Sequence, residues 1–309
     1  MRKALAGVTT TAVVAAMVMV GLVGPASAGV TSGSPGEHRA QTVKVTGDAS
    51  GVLHFSSTRV HEGTVSFRIS TSNRAGSGVT LFQLHRGVSF AEFAADAQEE
   101  FSQDPATAAK GTRALNRDAS FYGLADVQPG TPATATVKLE EGTYYAFDLM
   151  NSGPPTAKSV TRLKVLDDRD QDRRHGKDAG RDDVGRGEHL ARVSLTSSDR
   201  FVVRGHLRAH GSVLVRNVAD TIHIMVLQPV KAGTTDAQVQ AYFDSHSKNP
   251  PPFALPGPSV SMDALSPGKK LVLSYSLPKG TYVLLCFVAD DVTGMPHAAM
   301  GMHKVVTLS

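Results

Sequence analysis

A block of 22 residues occurs twice in this chain, and the repetition limits the folds that the chain can adopt. The stretch QPGTPATATVKLEEGTYYAFDL at 128–149 matches SPGKKLVLSYSLPKGTYVLLCF at 266–287, at a constant offset of 138 residues. Both copies contain Pro-Gly, an alternating strand, Gly-Thr-Tyr and a second apolar strand. Self-similarity at one fixed spacing indicates that a single folding unit has been duplicated. We therefore expect two related units in the chain.

A second match lies upstream of each block and predicts a helix. Residues 86–101 and 232–246 both contain an N-cap residue, Ser89 or Thr235, followed three positions later by Glu92 or Gln238. This spacing is the capping box, in which the two side chains satisfy free N–H groups at the start of a helix. Each unit should therefore carry one short helix in the same place.

The rest of the chain reads as short strands. Runs of β-branched residues bounded by Gly, Pro, Asn and Asp recur throughout, and helical periodicity is scarce. The stretches at 221–227 and 282–288 are apolar on both faces, which is typical of central strands rather than half-exposed edges. We predict an all-β fold of two tandem Greek-key β-sandwich domains, each with one short helix insertion.

The composition divides the chain into five segments. The first 28 residues combine Arg2 and Lys3, an apolar stretch and a small-residue site ending at Ala28, which together predict a cleaved signal peptide and a secreted protein. An uncleaved membrane anchor is the alternative, because the apolar run is about long enough to span a bilayer. The remaining segments are a flexible N-terminus at 29–40, a first domain at 41–165, a linker rich in Asp, Arg and Gly at 166–189, and a second domain at 190–309.

The charge and the cysteine content limit the classes of function that this chain can have. Cleavage removes two cations and lowers the formal net charge from +4 to +2, and the remaining basic residues are dispersed among acidic ones. A nucleic-acid partner is therefore not expected, since it requires a clustered basic face. Exported proteins usually pair their cysteines, yet Cys286 is the only cysteine and cannot form a disulfide within the chain.

That cysteine is followed by other soft metal ligands. Cys286 precedes a loop containing His297 and Met302, and His223 lies in a separate strand-like stretch. A blue copper site uses two imidazoles and one thiolate in a plane, with a weak thioether above it. A thiol at the end of one strand and a histidine and methionine before the next can converge on one point.

The stretch GTYVLLCFVAD…GMPHAAMGM resembles the C-terminal ligand loop of the cupredoxins, the plastocyanin and azurin superfamily. The family pattern is a cysteine, then Pro-His, three residues and Gly-Met, and it fits Cys286, His297 and Met302 here. The stretch VRNVADTIHIM is similar to the family's first-histidine motif, with Asn217 ahead of His223. The resemblance implies a secreted bacterial cupredoxin-like domain at 190–309 with one type 1 copper ion for electron transfer or copper holding.

The resemblance reaches 41–165 only through the internal repeat, which implies a degenerate cupredoxin-like domain. Within this repeat Asp148 aligns with Cys286, Thr156 aligns roughly with His297 and Thr80 aligns roughly with His223. The first domain should therefore bind no copper through a thiolate.

Two other functions remain open. The chain could be a metal-free binding or structural module, since a lone buried cysteine is most often a small hydrophobe and a lone histidine is most often a core residue. An oxidase is not expected, because the superfamily's multicopper enzymes use His-x-His pairs and this sequence has none. The redox or copper-delivery partner is not identified by the sequence, and no membrane anchor is expected after cleavage.

Overall fold

The computed structural model describes residues 41–167 and 190–309, which we call the first half and the second half. The predicted signal peptide at 1–28, the segment at 29–40 and nearly all of the charged linker lie outside the described residues. Within the two halves, no helix is both long and apolar enough to cross a membrane.

The first half consists mainly of short strands. Its elements are β1 (Gln41–Gly47), β2 (Leu53–Phe55), β3 (Arg59–His61), β4 (Gly63–Thr71), β5 (Ser77–Leu84), α1 (Phe90–Glu100), α2 (Pro105–Asp118), β6 (Ala119–Phe121), β7 (Ala125–Val127), β8 (Ala133–Leu139), β9 (Gly142–Asp148), α3 (Leu149–Ser152) and β10 (Thr161–Leu166).

The second half has a similar succession with a single helix. Its elements are β11 (Ala191–Thr196), β12 (Arg200–Arg204), β13 (His210–Asn217), β14 (His223–Pro229), α4 (Asp236–Asp244), β15 (Val260–Leu265), β16 (Lys270–Ser276), β17 (Gly280–Leu285) and β18 (His303–Leu308).

Two large sheets run through both halves and form the layers of the sandwiches. One sheet has the order β12-β11-β13-β16-β8-β4-β1-β2, and the other has the order β18-β17-β14-β15-β7-β5-β9-β10-β3, with β6 paired to β5. Strand β8 shows why these segments form strands, because alternate residues are buried along it and the intervening ones are partly or fully exposed. The predicted all-β fold of two sandwiches is confirmed.

The halves are joined by backbone pairing and not only by the linker. Strand β16 of the second half pairs antiparallel with β8 of the first, from Leu271 opposite Val137 to Ser274 opposite Thr134. In the other sheet β15 pairs antiparallel with β7. A single cluster of buried apolar side chains accordingly runs from the first half into the second.

Not all the pairing is antiparallel. Strand β4 runs parallel to β1, and β13 runs parallel to β11. Between β1 and β4 the chain crosses to the other sheet, where β3 pairs with β10. A connection of that length allows two parallel neighbours, whereas a tight hairpin forces antiparallel ones.

The helices correct one expectation. The predicted single helix is present in the second half as α4, where Thr235 and Gln238 form the full capping box. The first half has the predicted helix α1, N-capped by Ser89, but it is followed by a longer helix α2 that was not predicted. Helix α2 begins with Asp104 as N-cap and proline in its first turn, and both are signals of a helix start.

Candidate metal centre

Cys286 lies directly after β17 with its side chain completely buried. The backbone N–H of Ile224, on the neighbouring strand β14, donates to its Sγ atom at 3.4 Å. The sulfur therefore already accepts a hydrogen bond from the segment that carries His223. This contact stabilises the thiolate form that a metal requires.

His223 is the first residue of β14 and is also completely buried. The turn before it is held by Asn217, whose side-chain amide donates to the carbonyls of Thr221 at 2.8 Å and Leu265 at 2.7 Å. The Asn217 side-chain oxygen accepts from the N–H of Ala219 at 2.9 Å. One asparagine thus satisfies three backbone groups and fixes the point where β14 begins.

His297 is brought to the same place by the loop between β17 and β18. Its N–H donates to the carbonyl of Val288 at 3.0 Å, and its own carbonyl accepts from the N–H of Met302 at 2.8 Å. The N–H of Ala298 donates to the carbonyl of Cys286 at 2.7 Å, and the N–H of Cys286 donates to the carbonyl of Met302 at 3.3 Å. The loop is therefore tied to the backbone of the cysteine at several points.

The donor atoms of these three residues meet. The Nδ1 atoms of His223 and His297 lie 3.2 Å apart. The Sγ atom of Cys286 lies 3.7 Å from the first and 3.6 Å from the second. Three donors that each sit about 2.0–2.3 Å from one ion have separations of this size, so the set is shaped for a single metal ion.

Burial sets the protonation of the metal-free site. It raises the pKa of the Cys286 thiol to about 12, opposed by the N–H groups of Ile224 and Val288. Burial, followed by the adjacent His297, lowers the pKa of His223 to about 3. At neutral pH both imidazoles are uncharged and offer lone pairs, whereas the thiol has to release its proton when a metal binds.

Met302 is completely buried and lies next to Cys286 through the backbone contact described above. Its role as the axial thioether ligand stays a prediction. The structure brings the two imidazoles and the thiol together.

The outer side of His297 faces two acidic residues, Asp290 of the ligand loop and Asp199, which the sequence did not point to. Its Nε2 atom lies 3.8 Å from a carboxylate oxygen of Asp199, in the turn between β11 and β12. Donor atoms of Asp199, Asp290 and His297 lie within 4.8 Å of one another. Burial lowers the pKa of His297, and the neighbouring carboxylates, Asp199 first, oppose that shift. No local motif marks Asp199, because it is distant in sequence from the ligand loop.

Strand register corrects the predicted counterpart of His223 in the first half. Strand β9 pairs with β5 so that Phe147 lies opposite Thr80, and β17 pairs with β14 so that Leu285 lies opposite Val226. Since Phe147 and Leu285 hold the same place in the repeated block, Thr80 corresponds to Val226. The alignment of Thr80 with His223 was therefore wrong.

The position equivalent to His223 is Ser77. The counterpart of Cys286 is Asp148, which is 3% exposed and accepts the N–H of Gly78 at 3.0 Å, as the sulfur accepts that of the corresponding residue in the second half. The first half thus has a hydroxyl and a hydrogen-bonded carboxylate where the second half has an imidazole and a thiol.

No protein-family model matches the chain, and no curated protein matches it. Among solved structures, reduced auracyanin from the photosynthetic bacterium Roseiflexus castenholzii is 17% identical over 40% of this chain and 98% of its own, with a TM-score of 0.26. The blue copper oxidase from Nitrosomonas europaea is 11% identical over 88% and 86%, with a TM-score of 0.24. The copper-containing nitrite reductase from Thermus scotoductus is 11% identical over 87% and 61%, with a TM-score of 0.19. The case for a function rests on the geometry of the site.

Proposed function

We propose that this chain is an exported cupredoxin-like protein whose second half binds one type 1 copper ion. His223, Cys286 and His297 would hold the ion through two imidazole nitrogens and a thiolate, and Met302 would add a weak thioether ligand. The observation that supports this proposal is the meeting of one sulfur and two imidazole nitrogens, 3.2–3.7 Å apart, from three separate stretches of chain. Two imidazoles and a thiolate with a thioether are the donor set of blue copper centres.

Burial of the ligands fits an electron-transfer or copper-holding role. Bound copper supplies one-electron redox chemistry, and the protein's task is to keep the ligands in place and exclude water. The hydrogen bonds from the backbone to the sulfur and between the loop and the cysteine serve that task. No substrate is assigned, because the sequence lacks the His-x-His pairs of multicopper enzymes.

Export is part of the proposal and rests on the sequence at 1–28. Cleavage near Ala28 would release a protein that meets its partner outside the cytoplasm. That partner is expected to be a protein that exchanges a single electron or delivers copper.

Copper loading of the mature chain tests the proposal. One equivalent of Cu(II) should give an intense blue colour from thiolate-to-copper charge transfer, and Cys286→Ser should abolish it. Met225→Leu is the matched control, because Met225 is a buried methionine on β14 outside the proposed ligand set. A colourless equimolar mixture with an unchanged melting curve would instead favour a metal-free binding or structural module.

A further inference from the structure

Helix α2 of the first half contacts both segments of the second half that carry the proposed ligands. One contact is made just before His223, and others are made to the loop between Cys286 and His297. None of the residues involved belongs to the ligand set. The first half therefore touches the metal centre of the second half without supplying a ligand to it.

The contact before His223 is made by Asn116. Its side-chain oxygen accepts the N–H of Ile222 at 3.0 Å, and its amide donates to the hydroxyl of Thr221 at 2.7 Å. These two residues immediately precede His223. The start of β14 is therefore held by two asparagines, Asn217 of the second half and Asn116 of the first half.

The contacts to the ligand loop lie along the same helix. The guanidinium of Arg113 donates to the backbone carbonyl of Asp291. At the start of α2, Gly294 fits against Pro105 so closely that a Cβ atom there would lie 1.9 Å from the Pro105 carbonyl oxygen. Gly294 also has a φ of 70°, which favours glycine. The loop is thus shaped to the surface of the helix.

Helix α1 supports α2 and adds one contact of its own. The helices touch at Gly111, where a Cβ atom would lie 2.2 Å from the backbone nitrogen of Glu100. The Glu100 carboxyl lies near the backbone N–H of Ala289, in the ligand loop; burial raises the pKa of Glu100, and this N–H opposes that larger effect. Because two close-packed helices bend less easily than one, the hairpin can hold two chain segments at a fixed separation.

We propose that the α1–α2 hairpin of the first half is a clamp that positions the metal centre of the second half, with Asn116 and Arg113 as positioning residues. It fixes the start of β14 and the ligand loop relative to each other, so that the three donors stay close before a metal arrives. The effect of the clamp on copper binding rests on the proposed function. Its restraint on the start of β14 and on the ligand loop does not depend on a metal.

Hydrogen exchange in the metal-free full chain tests the restraint directly. Asn116→Ala should speed exchange of the Ile222 amide by roughly tenfold, since it removes two hydrogen bonds. Asn116→Asp should restore slow exchange, because its carboxylate can accept from both Ile222 and Thr221. Asn151→Ala is the control, since Asn151 makes comparable side-chain bonds within the first half.

A second variant decides the question if Asn116→Ala fails to fold. Arg113 is exposed, and Arg113→Met should speed exchange of the amides of Asp290, Gly294 and His297, all of which are hydrogen-bonded within the loop. Arg68→Met, which removes an exposed cation on β4 and outside the hairpin, should leave them unchanged. If Asn116→Ala does not fold, unchanged exchange in Arg113→Met would overturn the clamp. If it folds, unchanged exchange in both variants would overturn it.

Measurements on the copper-loaded protein test separately whether the clamp affects the bound metal. If the wild-type chain turns blue, Asn116→Ala should change the electron paramagnetic resonance spectrum and speed copper loss, and Asn116→Asp should restore both. If the wild-type chain takes up no copper, the proposed function fails, and the exchange measurements still decide the clamp. Faster exchange with an unchanged copper spectrum would overturn the clamp's effect on the metal.

Discussion

Asp199 places a negative charge beside a proposed copper ligand. Its carboxylate lies 3.8 Å from Nε2 of His297, and its side chain is only 20% exposed. The residue also has a φ of 51°, an uncommon conformation for a residue other than glycine. A charge held this close to an imidazole acts on any metal bound at the opposite ring nitrogen.

We expect Asp199→Asn to raise the reduction potential of the bound copper. The carboxylate stabilises Cu(II) more than Cu(I), because the oxidised ion carries the larger positive charge. At an effective dielectric constant of about 20, loss of one charge at this range shifts the potential by on the order of 100 mV. Redox titration of the blue absorption measures it. Asp244→Asn, at an exposed carboxylate at the end of α4, should leave the potential unchanged, and a lower potential in Asp199→Asn would contradict the account.

At the scale of elements, the packing of α1 against α2 depends on one point where their backbones come very close. Gly111, on the buried side of α2, allows this contact, since even a methyl group there would meet the backbone of α1. Alanine is the better helix former by about 1 kcal/mol, so propensity alone favours the replacement. Packing opposes it, because the atoms in the way belong to the backbone and not to a flexible side chain.

Gly111→Ala should therefore lower the free energy of unfolding by about 1–3 kcal/mol despite its higher helix propensity. Chemical denaturation of the metal-free chain measures the change. Gly211→Ala is a suitable control, because its Cβ would lie at an ordinary contact distance of 3.4 Å from the Arg208 side chain. A stabilised Gly111→Ala variant would show that the helices can move apart without cost.

The elements also explain what the sequence could and could not predict. The strands and the convergence of Cys286 with His297 follow from alternation and short spacing, which are local features. Helix α2 was missed because its apolar residues are mostly small alanines, although Asp104 and Pro105 mark its start. Ser77 was missed because the repeats differ in length between β5 and β9, so a fixed offset no longer matches equivalent positions.

Remote contacts were beyond the reach of the sequence altogether. Asn116 contacts a ligand-bearing segment only when the two halves are packed together, and Asp199 does so only when the second half has folded. Nothing in their local sequence sets them apart. Their partners are 106 residues away in the first case and far along the chain in the second. The sequence therefore located the donors and Asn217, and missed Asn116 and Asp199.

At the scale of the whole molecule, the two halves share their sheets and their core. The pairing of β8 with β16 and of β7 with β15 means that each half loses the hydrogen bonds of one strand edge in both sheets if the other half unfolds. Two domains connected only by a flexible linker would have no such dependence.

We expect the metal-free chain to unfold in one cooperative transition. Differential scanning calorimetry should give equal calorimetric and van't Hoff enthalpies, the signature of two-state behaviour. The replacement Leu273→Pro should lower the melting temperature of the whole chain, because it removes a ladder hydrogen bond on β16 beside β8. Two separate thermal transitions, of which Leu273→Pro shifts only one, would contradict the account that the halves unfold together through their shared sheets.

The most direct measurement of the central claim is X-ray absorption at the copper edge of the loaded full-length protein. The account predicts a first shell of one sulfur and two imidazole nitrogens, at about 2.0–2.3 Å, with the sulfur lost in Cys286→Ser. A shell of nitrogen and oxygen alone in the wild-type protein, or one unchanged by that substitution, would contradict it.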